Sequence, residues 1–430
     1  AKPALPDTAS DTKAIIIIIP SRPLPSIVYS APRRAARYLL EYTMAILSVS
    51  HSRVGPSTGR ASARTTGRGL RLGVAASAPR NPAARAAAAP SHPTFDPNSV
   101  ELPSLVPGAN QLEALKKVSK VVADTGDIDL VKKYQPVDCT TNPSLILKAA
   151  QIPEYSDMIQ AAVAAYDPTR TEDRPFSSVV DELSVAFGAE MVKIVPGRVS
   201  TECDAHLSFD TQATLDKAYK LVDMYSAKGV GLDRIYIKIA STWEGIKACE
   251  QLEKEGINTN MTLMFSMAQA MAAADAGASL ISPFVGRIMD WHKAANNRSY
   301  ESYEDPGVLS VRSIYKYYKM NGYKTIVMAA SFRNKGEILE LAGCDNITIS
   351  PQLLGELEES TEPLELKLWP TLAEQIQADI PNLTHLDEAQ FTANHNGDAM
   401  AKDKLAEGIA GFSGDQEKLE AILANLKNTS

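Results

Sequence analysis

Two lysines of this sequence interrupt short apolar runs, at positions where charge is normally unfavourable. Lys238 lies in RIYIKIAS and Lys193 lies in MVKIVPG. Burial in a strand would favour the neutral amine by desolvation, and a neutral amine can attack a carbonyl carbon to form a Schiff base. A strand lysine can equally extend its charge to the surface or pair with a carboxylate. The pattern therefore indicates Schiff-base chemistry without choosing between the two lysines.

Two carboxylates and two arginines could serve such an amine. Asp124 in ADTGD and Glu202 in STECDA could move protons during imine formation and bond cleavage. The alternative for Asp124 is to cap a turn. Arg287 and Arg333 could hold a substrate phosphate, since guanidinium matches phosphate oxygens in planar, bidentate fashion; surface ion pairing is the alternative. The six histidines form no HxH or HExxH pattern, so no metal site is expected.

Eight short apolar runs predict the strands that would position these side chains. They are 120–123, 137–139, 191–195, 234–239, 259–264, 280–284, 325–329 and 346–349. Segments of helical period lie between most of them and often end at glycine, as helix C-caps do. Eight such units in about 250 residues predict a (β/α)8 TIM barrel. A doubly wound α/β sheet is the alternative, which the absence of GxGxxG and GxxxxGK[ST] disfavours.

The polar residues within or just past the predicted strands form a candidate site, because active sites of such barrels lie at the C-terminal ends of the strands. They are Asp124, Asp127, Thr140, Thr141, Asn142, Arg198, Glu202, Lys238, Asn260, Thr262, Ser282, Arg287, Ser331, Arg333 and Ser350. Beyond the last strand, 359–395 is predicted to be an irregular connection. Residues 401–412 and 415–427 are predicted to be two additional amphipathic helices that pack around the barrel.

The charges divide the chain. Residues 1–95 contain 13 basic and 3 acidic residues, whereas 96–430 contain 31 basic and 48 acidic residues. The acidic body disfavours a nucleic-acid binder, since phosphate backbones require basic surface. No apolar run approaches the ~18 residues of a membrane span. Four widely spaced cysteines without a CxxC pair are expected to be reduced thiols, although Cys203 beside Glu202 leaves redox sensitivity open.

Residues 1–95 are expected to be a disordered extension preceding a domain at 96–430, because proline is frequent and apolar periodicity is not sustained. Met44 is the first methionine and a candidate start of translation. From there to Phe95 the chain has seven arginines and no Lys, Asp or Glu, which is typical of an organelle transit peptide. A basic tail without a targeting role is the alternative. The plastid, as chloroplast stroma, is the expected location ahead of the mitochondrion or cytoplasm.

Six segments, in order from about residue 111 onward, carry a family resemblance. They are VVADTGD (121–127), DCTTNPSLILKAAQIPEY (138–155), VPGRVSTECDAHLSFD (195–210), IYIKIASTWEGIKACEQLEKEGIN (235–258), LISPFVGRIMDW (280–291) and MAASFRNKGEILELAGCDNITISP (328–351). These segments resemble the transaldolase family of the pentose phosphate pathway. The resemblance implies a class I aldolase-type barrel.

The resemblance also implies a reaction and its residues. A dihydroxyacetone unit would move from sedoheptulose 7-phosphate to glyceraldehyde 3-phosphate, giving erythrose 4-phosphate and fructose 6-phosphate. Lys238 would form the Schiff base, Asp124 would be the acid/base of carbon–carbon cleavage, and Glu202 would act with a water and Thr262 in imine formation. No metal or organic cofactor is implied, since the protonated imine is the electron sink. The substrate-binding residues implied are Asn142, Asn260, Ser282, Phe284, Arg287, Ser331 and Arg333.

Two other functions remain open. A fructose 6-phosphate aldolase-like lyase would split the sugar without passing the unit on, but those relatives are typically shorter and have a different acid/base arrangement. A catalytically silent barrel would serve as a binding module, although the constellation of Lys238, Asp124 and Glu202 is intact. The partners implied are small sugar phosphates, without nucleic acid or membrane, and a homodimer is a possible assembly.

Overall fold

The computed structural model describes residues 104–169, 174–382 and 385–429; the predicted extension, transit peptide and Met44 start lie outside them. Its strands are β1 (Leu105–Val106), β2 (Lys120–Asp124), β3 (Asp138–Thr140), β4 (Val199–Glu202), β5 (Ile235–Ala240), β6 (Thr259–Met264), β7 (Leu280–Pro283), β8 (Ile326–Ala329), β9 (Asn346–Ile349) and β10 (Leu364–Glu365). Strands β2 to β9 are parallel and close into a barrel in chain order, while β1 pairs antiparallel with β10. The predicted (β/α)8 barrel is confirmed.

Helices follow the barrel strands. They are α1 (Gln111–Leu115), α2 (Ile128–Tyr134), α3 (Pro143–Ala149), α4 (Ser156–Ala164), α5 (Ser177–Val192), α6 (Thr211–Ala227), α7 (Trp243–Lys254), α8 (Met267–Asp275), α9 (Gly286–Asn296), α10 (Pro306–Met320), α11 (Lys335–Leu339), α12 (Pro351–Glu359), α13 (Glu388–Gly397) and α14 (Ala399–Thr429). Gly256 and Gly277 follow α7 and α8 with φ of +81°, the left-handed conformation of a glycine C-cap. None of the helices in the described ranges is both long and apolar enough to cross a membrane.

One predicted strand is wrong. Residues 191–195 form the end of α5 and the turn after it, where Met191 and Val195 belong to an apolar cluster with residues of α4 and α5. The third barrel strand is β4 instead, whose VSTE sequence shows no apolar run because its Ser200 and Glu202 side chains lie on the polar interior face. Arg198 therefore precedes a strand rather than following one, and it lies at the N-terminal end of the barrel.

The barrel interior is built in layers. Val122, Tyr236, Leu280 and Met328 form an apolar cluster inside the lower half of the barrel. Alternate residues of a strand face the same side. The side chains two positions further along these strands, among them Asp124, Lys238 and Ser282, therefore face the interior nearer the C-terminal ends of the strands.

The C-terminal region also differs from its prediction. The two helices predicted at 401–412 and 415–427 are one continuous helix, α14, although Gly411 and Gly414 lie near the predicted break. Phe412 is buried against Leu263 and Ile288, and this packing outweighs the poor helix propensity of the glycines. The connection predicted as irregular at 359–395 contains β10, a 3-10 turn at Pro370–Gln375 and most of α13.

Candidate active site

A cavity of about 70 Å³ lies at the C-terminal ends of the barrel strands. Most of the predicted site residues meet there: Asp124, Thr140, Asn142, Lys238, Thr262, Ser282, Phe284, Arg287 and Ser331 line it. Glu202 and Asn260 are not among the lining residues, but each contacts one of them: Glu202 contacts Lys238, and Asn260 contacts Ser282. Other members of the broad candidate set have separate positions: Asp127 caps α2, and Ser350 stands at the start of α12.

Lys238 and Glu202 form a buried pair inside the barrel. They are register partners on β4 and β5, and 3.0 Å separates Lys238 Nζ from Glu202 Oε2. Their side chains are 5% and 4% exposed, and Lys238 Nζ also donates to the Thr141 carbonyl at 3.2 Å. Burial raises the pKa of Glu202, although the Lys238 ammonium opposes the shift. The carboxyl group is therefore a stronger base than an exposed glutamate and is placed to accept a proton from the amine.

Lys193, the alternative lysine of the sequence, lies elsewhere. It follows α5 on the surface, with a side chain 67% exposed and paired with Glu190. Of the two lysines that the sequence singles out, Lys238 has the buried position that Schiff-base chemistry requires.

Asp124 ends strand β2 and faces the same cavity, beside its register partner Thr140. Desolvation raises its pKa above the ordinary aspartate value of 3.8, while the charges of Lys238, Arg287 and Lys148 act in the opposite direction. Two carboxyl groups with raised pKa values thus flank the Lys238 amine. Such perturbed pairs of titratable groups in one cavity are typical of acid/base sites.

Several hydroxyl groups at the cavity lack partners. The buried Oγ1 atoms of Thr140, Thr262 and Thr348 have no hydrogen-bond partner among the described residues, and all three residues line the cavity. Buried polar atoms normally have partners, so these hydroxyls indicate where a hydroxylated ligand could bind. Sequence reasoning missed Thr348; the signal was a polar residue inside the eighth apolar run, NITI.

An amide and two serine hydroxyls form a chain beside Lys238. Ser282 Oγ donates to Asn260 Oδ1 at 2.6 Å, and Asn260 Nδ2 donates to Ser200 Oγ at 3.1 Å. Asn260 is thereby held opposite Lys238, its register partner on β5. Asn142 caps α3, where its Oδ1 accepts from the Leu145 amide at 3.0 Å, so its Nδ2 remains as a donor toward the cavity.

Arg287 lines the cavity, whereas Arg333 is not among the lining residues but lies near enough for its charge to act on Arg287. The Arg287 guanidinium lies 5.1 Å from the Phe284 ring centroid and 5.5 Å from that of Phe412. Burial and the nearby charge of Arg333 lower its pKa. Arg333 is more exposed and pairs with Asp290, with 2.8 Å between Nη2 and Oδ2. Because the two guanidinium groups repel each other, an anion bound between them would be stabilised by both.

Helix α14 packs across the mouth of the cavity, a feature that the sequence did not predict. Leu263 has φ of +51° at an irregularity between Met261 and Met264, and its side chain contacts α14. A Cβ atom at Gly408 would lie 2.7 Å from Leu263 Cδ2, so a larger residue at this position would require the Leu263 side chain to shift. The contact of Leu263 with α14 brings Phe412 into the cavity wall.

Cys203, next to Glu202, does not have the environment of a reactive thiol. Its side chain is buried, and desolvation raises the pKa of the thiol well above its ordinary value. Reactive cysteines have lowered pKa values and solvent access. The thiol therefore packs as a small apolar group.

Comparisons with known proteins agree with the barrel. Residues 121–423 match the family described as Transaldolase/Fructose-6-phosphate aldolase. The chain is 57% identical over 317 residues to a transaldolase of Pseudoalteromonas atlantica, a match that covers 73% of this chain and 98% of that protein. It is 56% identical over 315 residues to transaldolase A of Pasteurella multocida, again covering 73% and 98%. A Vibrio cholerae transaldolase is 57% identical over 318 residues, covering 74% and 99%. The chain therefore belongs to the transaldolase/fructose-6-phosphate aldolase family.

Proposed function

We propose that this chain is a transaldolase, which transfers a dihydroxyacetone unit from sedoheptulose 7-phosphate to glyceraldehyde 3-phosphate. The observation that carries the proposal is the buried Lys238 amine, 3.0 Å from the Glu202 carboxyl and facing one cavity with Asp124. Relatives named transaldolase, 56–57% identical over nearly their whole length, support the same reaction.

Imine formation requires a neutral amine and a route for water to leave. Glu202 takes a proton from Lys238, and the free amine attacks the C2 carbonyl of the ketose to give a carbinolamine. A proton returned through a water held near Thr262 converts the C2 hydroxyl into a leaving water. The nitrogen lone pair then forms the protonated imine. The unpartnered Thr262 hydroxyl supports this assignment.

Carbon–carbon cleavage requires a base at the C4 hydroxyl. Asp124 removes that proton, the C3–C4 bond breaks, and its electron pair moves into the protonated imine to give an enamine. The aldehyde fragment, erythrose 4-phosphate, departs. The enamine carbon then attacks the incoming aldehyde, protonated Asp124 donates to the new alkoxide, and hydrolysis of the imine releases fructose 6-phosphate.

The remaining residues hold the substrate. Asn142, Asn260 and Ser282 supply amide and hydroxyl groups to the dihydroxyacetone unit, with Phe284 and Ser331 in the wall. Arg287 and Arg333 bind the phosphate. The enamine would form inside the barrel, in the cavity whose wall includes Phe412, and this position shields it from water. Retention of this intermediate until an acceptor arrives is what separates a transferase from a lyase.

Replacement of Arg287 by alanine is expected to reduce kcat/KM for phosphorylated acceptors about 10- to 100-fold, mainly through KM, because a charged hydrogen bond contributes about 1.5–3 kcal/mol. Steady-state kinetics with glyceraldehyde 3-phosphate and unphosphorylated glyceraldehyde measure the effect. Arg298→Ala is the matched control, since Arg298 pairs with Glu304 on the surface. An equal loss for both acceptors would contradict the phosphate-binding role.

Product analysis tests the transferase. The purified protein is incubated with fructose 6-phosphate, with and without erythrose 4-phosphate, and free dihydroxyacetone is measured. A transaldolase releases glyceraldehyde 3-phosphate catalytically only when the acceptor is present, and it liberates almost no dihydroxyacetone. Steady release of dihydroxyacetone without acceptor would instead identify a fructose 6-phosphate aldolase-like lyase, and no release of either product would favour the silent barrel.

We also propose that the protein is located in the plastid and forms a homodimer. Residues 44–95, with seven arginines and no acidic residue, would act as a plastid transit peptide in front of a barrel domain that begins near residue 96. A fluorescent protein fused behind 44–95 tests the location, and cytosolic fluorescence would contradict it. The homodimer is tested by analytical ultracentrifugation.

A further inference from the structure

Two buried acids lie outside the site described above, next to the segments that carry Arg287 and Arg333. Glu337 in α11 is 0% exposed and Asp305, the N-cap of α10, is 2% exposed. Their carboxyl groups are hydrogen-bonded to each other, which requires that one of them carries a proton. Neither residue has a part in the chemistry proposed for Lys238, so their burial requires another explanation.

Glu337 is bound to the loop at 331–334. Its Oε2 accepts from the Arg333 amide at 2.8 Å, and its Oε1 accepts from Asn334 Nδ2 at 3.1 Å. Asn334 Oδ1 in turn accepts from the Glu337 amide at 3.0 Å. Ser331 in the same loop has φ of +61°, a left-handed conformation that a serine holds only when its surroundings impose it. Glu337 supplies part of that constraint and fixes the backbone of Arg333.

Asp305 connects the two hydrogen-bonded acids to the segment that carries Arg287. Its Oδ1 accepts from the amides of Gly307 and Val308 at 2.7 and 3.3 Å, which fixes the start of α10. A Cβ atom at Gly307 would lie 2.1 Å from the Val285 carbonyl oxygen, so α10 packs directly on the backbone two residues before Arg287. The hydrogen-bonded acids thus join the segments that present both guanidinium groups.

The shared hydrogen bond requires one proton. Burial raises the pKa of Glu337 to about 7, with Asp305 adding to the shift and Arg333 opposing it; burial also raises the pKa of Asp305, with Asp290 adding to that shift. The nearby Lys335 and Glu304 are engaged with Glu362 and Arg298. Loss of the proton above pH 7 would place two negative charges side by side and weaken the connection.

We propose that Glu337 is a positioning residue whose carboxyl group, protonated and bound to Asp305, holds the 331–334 loop so that Arg333 can engage a substrate phosphate. The inference rests on the proposed function, because it concerns the sugar-phosphate subsite of the same cavity. It makes KM for phosphorylated substrates dependent on the proton of this pair: KM is low below the folded pKa of Glu337 and rises as the pH passes above it.

The test compares Glu337→Gln, Glu337→Leu and Asp305→Asn with the unaltered protein, using KM for fructose 6-phosphate from about pH 6 to about pH 8. Glutamine keeps an acceptor oxygen for the loop and donates to Asp305 at every pH, so KM should stay low and become independent of pH. Asp305→Asn keeps the helix cap and donates to an ionised Glu337, so it should behave in the same way. Glu337→Leu should raise KM about tenfold at every pH in this range, with kcat unchanged. Ionisation of the substrate phosphate affects all four proteins equally.

Two results would overturn the proposal. One is a pH dependence of KM in Glu337→Gln and Asp305→Asn equal to that of the unaltered protein. The other is an equal effect of Glu337→Leu on phosphorylated and unphosphorylated acceptors, which indicates a general structural role. If Glu337→Leu does not fold, the glutamine and asparagine variants decide alone. Failure of the proposed function is distinct, since the unaltered protein would then form no imine with fructose 6-phosphate.

Discussion

The Lys238→Met variant is expected to lose at least about 10⁴-fold in kcat, because among the described residues that line the cavity no other amine could form the covalent intermediate. Methionine is similar in length and apolar, so it fills the same buried space. Glu202 would lose its cationic partner and, since desolvation already raises its pKa, would take up a proton. The variant should therefore fold. A coupled assay of glyceraldehyde 3-phosphate release measures the loss.

The matched control is Lys193→Met, which changes the other lysine that the sequence singled out. Its side chain is exposed and paired with Glu190, so kcat should remain unchanged within a factor of about two. If Lys238→Met retained more than about 1% of the activity, Lys238 would not be the nucleophile.

The Asp124→Asn variant is expected to lower kcat by about 10²- to 10⁴-fold, because the carboxylate that takes the proton of the C4 hydroxyl is then missing. Imine formation should continue, since Lys238 and Glu202 are intact. Borohydride reduction with fructose 6-phosphate should therefore trap the whole hexose phosphate on the protein, rather than the three-carbon unit that follows cleavage. The masses of the two adducts separate the steps.

The pH dependence of cleavage supplies a second readout for Asp124. The base must be ionised, and its pKa is raised above 3.8, so the rate should fall as the pH decreases through that raised value. Asp124→Asn should lose this acid limb. Asp127→Asn is the control, because Asp127 caps α2 and accepts from the Tyr155 hydroxyl at 3.0 Å without lining the cavity. Trapping of the three-carbon unit at an undiminished rate in Asp124→Asn would contradict the assignment.

Apolar runs identified the strands whose two faces are both buried. In β5, IYIKIA is apolar except at the interior position of Lys238, and the pattern predicted the strand within one residue. The same rule failed for β4, because the interior face of VSTE is polar where it meets the cavity. Polar residues of the barrel interior thus replace the apolar pattern by which a strand is recognised in the sequence. The apolar end of the neighbouring helix α5 shows that pattern instead and was predicted as the strand.

Contacts made by distant parts of the chain could not be predicted from local pattern. The continuity of α14 depends on burial of Phe412 against Leu263, about 150 residues earlier in the sequence. The pairing of Asp305 with Glu337 depends on two helix starts that only the closed barrel brings together. The choice of Lys238 over Lys193 came from family resemblance, and the structure supplies its physical reason in the burial of one and the exposure of the other.

The proposed reaction requires a covalent bond between Lys238 and the substrate. The protein is incubated with fructose 6-phosphate and reduced with borohydride, and the modified peptide is mapped by mass spectrometry. We expect one adduct, on Lys238 in the IYIKIAST segment, together with stoichiometric release of glyceraldehyde 3-phosphate that becomes catalytic when erythrose 4-phosphate is added. An adduct on Lys193, or none on any lysine, would contradict the proposed reaction.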